Sequence, residues 1–186
     1  MAEINGISVK SVKTFLGREG YAAQGNLYIG GKKVAFWSQD ADGCIIDTLY
    51  MEKGYSEEKL RMKVRELNKE KDRQGTRPDG SSYTLEYDLE SLMYDLLNII
   101  DYEKEYKRAV KNGAKGLFVL SNGYDTQYWR INSDKNGIKD AILKHKAITD
   151  AETKMKASGH DISKLFIFGM EDTTIGDAIT LRDIAC

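Results

Sequence analysis

The dipeptide Gly30-Gly31 lies between two runs of strand-forming residues, Asn26-Leu27-Tyr28-Ile29 and Lys32-Lys33-Val34-Ala35-Phe36-Trp37. Both glycines reach positive φ without the steric cost that a Cβ imposes, so the chain can reverse there in two residues. That predicts a β-hairpin and commits its surroundings to an antiparallel sheet. Upstream, Ile7-Ser8-Val9-Lys10-Ser11-Val12-Lys13 alternates apolar and polar side chains, except for a slip at Ser11-Val12. Successive strand residues face opposite ways, so the segment suits a half-buried strand, and the slip marks either a bulge or a change of phase. A further strand is expected over residues 44–51, where Ile45, Ile46, Thr48, Leu49 and Tyr50 cluster. The first 55 residues thus read as an antiparallel sheet or meander.

Residues 56–73 contain neither Gly nor Pro, and Leu60, Val64 and Leu67 fall on one side of a helix. Ser56 is the expected N-cap, and Glu57 and Glu58 suit the positive end of the helix dipole. Residues 74–82, with Arg77-Pro78-Asp79-Gly80, are expected to form a turn-rich connector. A long helix is then predicted over about residues 83–111, with Leu85, Leu89, Leu92, Met93, Leu96, Leu97, Ile99 and Ile100 as its apolar face. Its start is open, because Tyr83-Thr84-Leu85-Glu86-Tyr87 also alternates like a strand, and Asn112-Gly113 supplies its stop.

Strand patterning returns in Leu117-Phe118-Val119-Leu120 and Thr126-Gln127-Tyr128-Trp129-Arg130-Ile131, joined through the turn-forming Asn122-Gly123-Tyr124-Asp125. Helical spacing resumes near Gly137 and runs through Ile138, Ala141, Ile142, Ile148 and Met155. Leu165-Phe166-Ile167-Phe168 reads as a buried strand, and the segment from Thr173 as a short helix. The fold class is therefore α+β: an N-terminal antiparallel sheet, central helices and a C-terminal mixed strand–helix region. The expected organisation is one compact domain over 1–186, with a β-rich lobe at 1–55 and an α+β lobe at 56–186 as the alternative.

Charge narrows the function classes only modestly. The chain has 28 Lys and Arg against 29 Asp and Glu, which removes the globally basic field of a non-specific phosphate binder. No apolar run approaches the roughly 20 residues that cross a bilayer, and Met1 to Lys10 lacks a signal-peptide core, so a cytoplasmic protein without a membrane role is expected. Two cysteines, Cys44 and Cys186, cannot form a disulfide framework and fit a reducing compartment. Cys44 is expected to be a buried structural residue.

Each chemistry that the residues suggest has a structural alternative. Neither Gly17-Arg18-Glu19-Gly20 nor Gly30-Gly31-Lys32-Lys33 has the spacing of a phosphate-binding loop. The first is expected to be a structural turn, or else a contact loop in which Arg18 or Tyr21 meets a partner. His145 and His160 form no zinc motif. Asp40, Asp42 and Asp47 flank one turn and could converge on a hard cation, although a solvated acidic turn explains them as well. On a helix, Glu103 and Lys107 are four apart and fit a surface ion pair better than a nuclease centre. Ser121, in Leu-Ser-Asn-Gly, does not sit in a nucleophile elbow. No cofactor is implied.

Residues 55–80 hold eight basic side chains against six acidic ones. Arg61, Arg65 and Lys69 are spaced by four, so a helix aligns them in a row that can meet phosphate or an acidic protein. Glu66, Glu70 and Asp72 intersperse and weaken that field. Tyr28, Phe36, Trp37, Tyr124, Tyr128 and Trp129 fall on expected strands or their turn, where they either pack or stack on bases. Tyr102 and Tyr106, four apart, are either core or a small interface patch.

Residues 11–20, Ser-Val-Lys-Thr-Phe-Leu-Gly-Arg-Glu-Gly, together with 25–36, Gly-Asn-Leu-Tyr-Ile-Gly-Gly-Lys-Lys-Val-Ala-Phe, resemble the N-terminal strand-and-hairpin pattern of small accessory proteins carried by phages and mobile elements of Gram-positive bacteria. Some proteins of that setting inhibit CRISPR effectors. The resemblance covers about the first 50 residues and is one of packing and turns, with no catalytic signature. It implies an anti-CRISPR type of protein that binds a bacterial defence protein or ribonucleoprotein and blocks it sterically. Arg18, Tyr21, Arg61 and Arg65 are the candidate contacts, with local RNA or DNA contact as a further expectation. The alternatives are a metal-dependent nuclease, or another enzyme that processes nucleic acid, and a structural, self-associating protein of the mobile element.

Overall fold

The computed structural model describes residues 2–17, 20–40, 44–121, 126–132, 164–168 and 178–179. The chain divides into two units, Met1–Asn98 and Ile99–Cys186.

The first unit is built on a five-stranded antiparallel meander: β1 (Glu3–Ile4), β2 (Ile7–Leu16), β3 (Tyr21–Ile29), β4 (Lys32–Gln39) and β5 (Thr48–Met51), in that spatial order. Gly30 and Gly31, at φ 55° and 79°, make the expected two-residue turn, with Ile29 opposite Lys32. A second such turn uses Asn5 and Gly6, at φ 47° and 76°, to join β1 to β2. The slip at Ser11-Val12 is a bulge: the register against β3 shifts between Lys10 and Lys13, and Ser11 sits at φ 55°. β5 begins only at Thr48, so the expected strand is shorter than its apolar run. Cys44 consequently lies on the preceding loop and is exposed, which corrects the expectation that it is buried.

One face of this sheet is core. Ile7, Val9, Leu27, Ala35 and Trp37 are all nearly inaccessible to solvent, and complete burial of an aliphatic side chain the size of Ile7, Val9 or Leu27 is worth about 1.5–3 kcal/mol. Gly25 lies directly opposite Trp37, and a Cβ there would come within 3.1 Å of Val12 Cγ2, 3.2 Å of the Lys10 carbonyl and 3.4 Å of the indole nitrogen. The bulge in β2 thus presses on a position that only glycine fills without displacement.

The same unit holds α1 (Glu57–Asn68), whose N-cap Ser56 accepts from the Lys59 N–H at 3.3 Å. Leu60 and Val64 form its buried stripe. The β1–β2 turn is tied to the end of this helix: the Asn5 side-chain amide donates to the Leu67 carbonyl at 2.7 Å and to Asn68 Oδ1 at 3.0 Å. The helix stops five residues before the expected end. A single 3-10 turn, Lys69–Lys71, follows, and Asp72 then adopts an extended backbone that launches β6 (Arg73–Thr76). β6 pairs with β7 (Ser82–Leu85), so the expected connector is a turn inside a small two-stranded hairpin.

The alternation of residues 83–87 therefore reports a strand, and α2 runs from Leu89 to Lys111. Its start is set by Asp88, whose carboxylate accepts from the Ser91 N–H at 2.8 Å in capping geometry. Leu89, Leu92, Met93, Leu96 and Ile99 are buried as expected, whereas Leu85 is exposed on β7. Gly113, at φ 91°, ends the helix in the left-handed conformation that suits glycine.

The boundary between the two units falls within α2. In the second unit, β8 (Gly116–Ser121), β9 (Thr126–Ile131), β10 (Lys164–Phe168) and β11 (Ala178–Ile179) form an antiparallel sheet of order β11-β10-β8-β9. Leu117, Phe118 and Val119 are buried, as are Tyr102 and Ala109 on α2. Ala178–Ile179 pairs with β10, so this part of the segment from Thr173 is strand and not the expected helix. The helix expected near 137–155 and residues His145, His160 and Cys186 lie outside the described residues. The observed fold is α+β, with an N-terminal antiparallel sheet, central helices and a C-terminal mixed strand–helix region.

Candidate interaction surfaces

Tyr21 opens β3 and stands directly across from Leu16, the last residue of β2. They are 75% and 77% exposed, and the neighbouring Phe15 is 48% exposed. The Gly17 N–H donates to the Gly20 carbonyl at 2.7 Å, closing the hairpin just beyond them. Arg18, between those glycines, lies outside the described residues. Ala22 and Ala23, next along β3, are buried, as are Gly25, Leu27 and Trp37 further back, so on β3 the exposed apolar surface is confined to Tyr21 at the hairpin's end. Its end carries large apolar groups on both faces, because Phe15 and Leu16 are adjacent strand residues and point oppositely.

Arg61 and Arg65 are placed very differently. The Arg61 guanidinium reaches Glu57 at 2.9 Å and Glu90 at 2.9 Å. Arg65 grips Asp72 in a two-pronged pair, with one arm measuring 3.1 Å, and also donates to the Tyr87 carbonyl at 3.3 Å and approaches Glu86 at 3.4 Å. Asp72 in turn accepts from the Tyr87 N–H at 2.9 Å. The Arg65 guanidinium, then the Tyr87 N–H, hold the Asp72 carboxyl below the usual carboxylate range. Asp72 precedes β6 and Tyr87 follows β7, so this one node clamps both roots of the small hairpin to α1. The basic row legible on the helix is therefore largely matched by carboxylates that fold back from residues 72–90.

Beside the node, the Tyr87 hydroxyl donates to buried Asp95 at 2.9 Å. Burial, reinforced by the charge and hydrogen bond of Asp95, pushes the phenol well above its ordinary value. At the far end of the same hairpin, the Tyr83 ring covers Gly75, its cross-strand partner, and the Arg77 guanidinium lies 5.3 Å from the ring centroid. Asp79 caps that turn, accepting from the Ser81 hydroxyl at 2.6 Å and the Ser81 N–H at 2.9 Å, which holds its carboxyl low.

The candidate catalytic sites resolve into local structure where they fall among the described residues. Asp47 accepts from the Asp40 N–H, and its own N–H donates to the Ser38 carbonyl at 2.9 Å, so both residues shape the β4–β5 loop. Asp42 lies outside the described residues, and among the described residues no group of three or more His, Cys, Asp or Glu is placed to hold a metal ion. Glu103 and Lys107 form the expected ion pair across one helical turn, at 3.4 Å. Ser121 is a buried strand residue opposite Thr126 and Lys164. Tyr102 packs edge-on against Tyr128, with centroids 6.1 Å apart, so it is core. No helix among the described residues is long and apolar enough to cross a membrane. Compared with known families, curated proteins and solved structures, the chain matches no family model, no curated sequence and no solved fold.

Proposed function

We propose that this protein is a non-catalytic, cytoplasmic accessory protein that binds a bacterial defence component, of the kind of a CRISPR effector complex, and blocks it sterically. The observation that carries the binding reading is the Leu16–Tyr21 pair, two large apolar side chains about three-quarters exposed at the closed end of the β2–β3 hairpin. Interface energy concentrates in a few aromatic and aliphatic anchors that enter a partner's pocket, and a paired, closed hairpin end holds such anchors at little further entropic cost. The class of target follows from the resemblance of residues 11–36 to accessory proteins of phages and mobile elements. Arg18, between Gly17 and Gly20 in the sequence, is retained as a further candidate contact. Arg61 and Arg65, engaged within the chain, serve chiefly to hold the fold that presents it.

The test is reconstitution with purified effector ribonucleoprotein from the bacterial host, measuring complex formation and target cleavage with and without chelator. Wild-type protein is expected to bind stoichiometrically and suppress cleavage regardless of chelator. Leu16→Ala and Tyr21→Ala are each expected to weaken binding about tenfold or more, as loss of an interface anchor does. Absence of any complex overturns the reading. Chelator-sensitive degradation of guide or target would replace it with the nuclease alternative, and self-association without effector binding would replace it with a structural role.

A further inference from the structure

The face of the N-terminal sheet opposite its core carries an ordered set of side chains that the hairpin end does not use. Phe36 on β4 lies opposite Asn26 on β3 and Tyr50 on β5. Tyr28, two residues beyond Asn26, shares its face. Three aromatic rings thus occupy three adjacent strands, which span roughly 10 Å at the usual inter-strand spacing. Tyr50 is 65% exposed, and Phe36 and Tyr28 are half-buried. The Phe36 and Tyr50 rings lie 6.3 Å apart and are tilted by 34°.

The β2 bulge adds charge to this face. Lys10 is opposite Asn26 and Lys13 is opposite Gln24, so both lysines stand on the aromatic side. In a regular strand, residues three apart point to opposite faces, and the extra residue at Ser11-Val12 is what aligns them. The Lys10 ammonium sits 4.5 Å from the centroid of the Tyr28 ring, and among the described residues neither Lys10 nor Lys13 has an ion-pair partner. Gln24, Asn26, Ser38 and Thr48 fill the remaining positions with neutral hydrogen-bonding groups. Among the described residues, carboxylates lie at the margins: Glu3 opposite Ser8, Glu52 held by Lys33 at 2.6 Å, and Asp40 and Asp47 in the β4–β5 loop.

We propose that this face binds single-stranded nucleic acid, with Tyr28, Phe36 and Tyr50 stacking on bases while Lys10 and Lys13 meet the phosphates. Aromatic packing across strands would by itself account for Phe36 and Tyr50. It does not account for two lysines, without a carboxylate partner among the described residues, aligned beside them by a bulge. Flat aromatic surface next to a cationic border is the chemistry of sequence-tolerant single-strand binding, since every base offers a π-face and every nucleotide a negative charge. A duplex, with its bases stacked internally, cannot use the rings. The inference goes beyond blockade of a protein partner and stands on a different surface from the hairpin end.

Fluorescence anisotropy with labelled oligonucleotides of about 12 nucleotides tests it, a length within the range of single-strand binding sites. The probes are oligo(dT), oligo(U) and a DNA duplex, each measured over a salt series. The expected result is saturable binding of at least one single strand, in preference to duplex, that weakens as salt rises. The DNA and RNA arms identify which strand is taken. Tyr50→Ala, at an exposed position, is expected to weaken binding about tenfold. Lys10→Ala combined with Lys13→Ala is expected to flatten the salt dependence, and Leu16→Ala to leave binding unchanged. Absence of single-strand binding at low salt, equal affinity for duplex, or indifference to both Tyr50→Ala and the lysine pair would overturn the proposal. Because Leu16→Ala and Tyr50→Ala report on separate surfaces, failure here leaves the effector-binding test independent.

Discussion

The first unit contains two hairpins built on opposite economies. β6–β7 has little apolar burial of its own, since all residues of β7 and three of four in β6 are exposed. It keeps its place through Arg65, Asp72 and Tyr87, which clamp its roots, and through Tyr83 lying over Gly75. β2–β3 is rooted in a core around Leu27, Gly25 and Trp37, and spends its exposed end on Phe15, Leu16 and Tyr21. Charged groups that resemble binding residues in the sequence thus hold structure, while apolar groups that resemble core are left to solvent. Where chemistry is stored depends on which partners the fold brings near, and residue type alone does not say.

Trp37→Ala attacks the root of the rigid hairpin and should have the largest effect on stability. Removal of a fully buried indole is expected to cost about 3–5 kcal/mol in a urea melt. A loss below about 1 kcal/mol would mean that the core does not organise this sheet. Tyr87→Phe, beside the charged clamp, removes a hydrogen bond to a buried carboxylate and should cost about 1.5–3 kcal/mol. It also has a pH signature. A phenol whose folded value is raised contributes stability in full below its unfolded value of about 10 and loses it as pH rises above that. Wild-type stability should therefore fall above about pH 10 in a way that the phenylalanine variant does not share.

Asp72→Asn tests the clamp from the opposite end of the pH scale. A carboxyl held low contributes stability above its unfolded value of about 3.9, and that contribution is lost as pH falls through the folded value. The variant should lack this acid-side loss, and its β6–β7 amides should exchange with solvent faster than those of β2–β3 at neutral pH. Equal exchange in the two hairpins would remove the distinction between them. Leu16→Ala and Tyr21→Ala should change stability least, within about 0.5 kcal/mol, even as they diminish effector binding.

Legibility in the sequence followed the range of the interactions. Gly30-Gly31, the Ser56 cap, the Gly113 stop and the Ser11-Val12 bulge are encoded by neighbours, and local pattern located them all. Asn5-Gly6 carries an equally strong turn signal, but β1 is two residues long and offers no alternation to flag it. β6, Arg-Gln-Gly-Thr, has no apolar periodicity, so its pairing could not be read from its own residues. The roles of Arg61 and Arg65 depend on Asp72, Glu86 and Glu90, which only the folded chain brings alongside α1. Tyr21 was legible as a candidate contact through its turn, whereas its pairing with Leu16 and the exposure of that pair depend on register and burial. The alignment of Lys10 with Lys13 was implicit in the slip, yet its meaning required knowing which face the rings occupy.

The bulge at Ser11 has one more consequence, for the company this sheet keeps with copies of itself. β1 covers only the beginning of β2, and past Lys10 no other strand among the described residues runs along that outer margin. A straight, continuous margin of unpaired amides and carbonyls is a template on which a foreign strand can grow. A residue at φ 55° midway along it breaks the even spacing that such a recruit would need to match. Straightening β2 by deleting Ser11 would therefore be expected to promote sheet-to-sheet aggregation, a penalty felt in solubility and shelf life before any loss of binding.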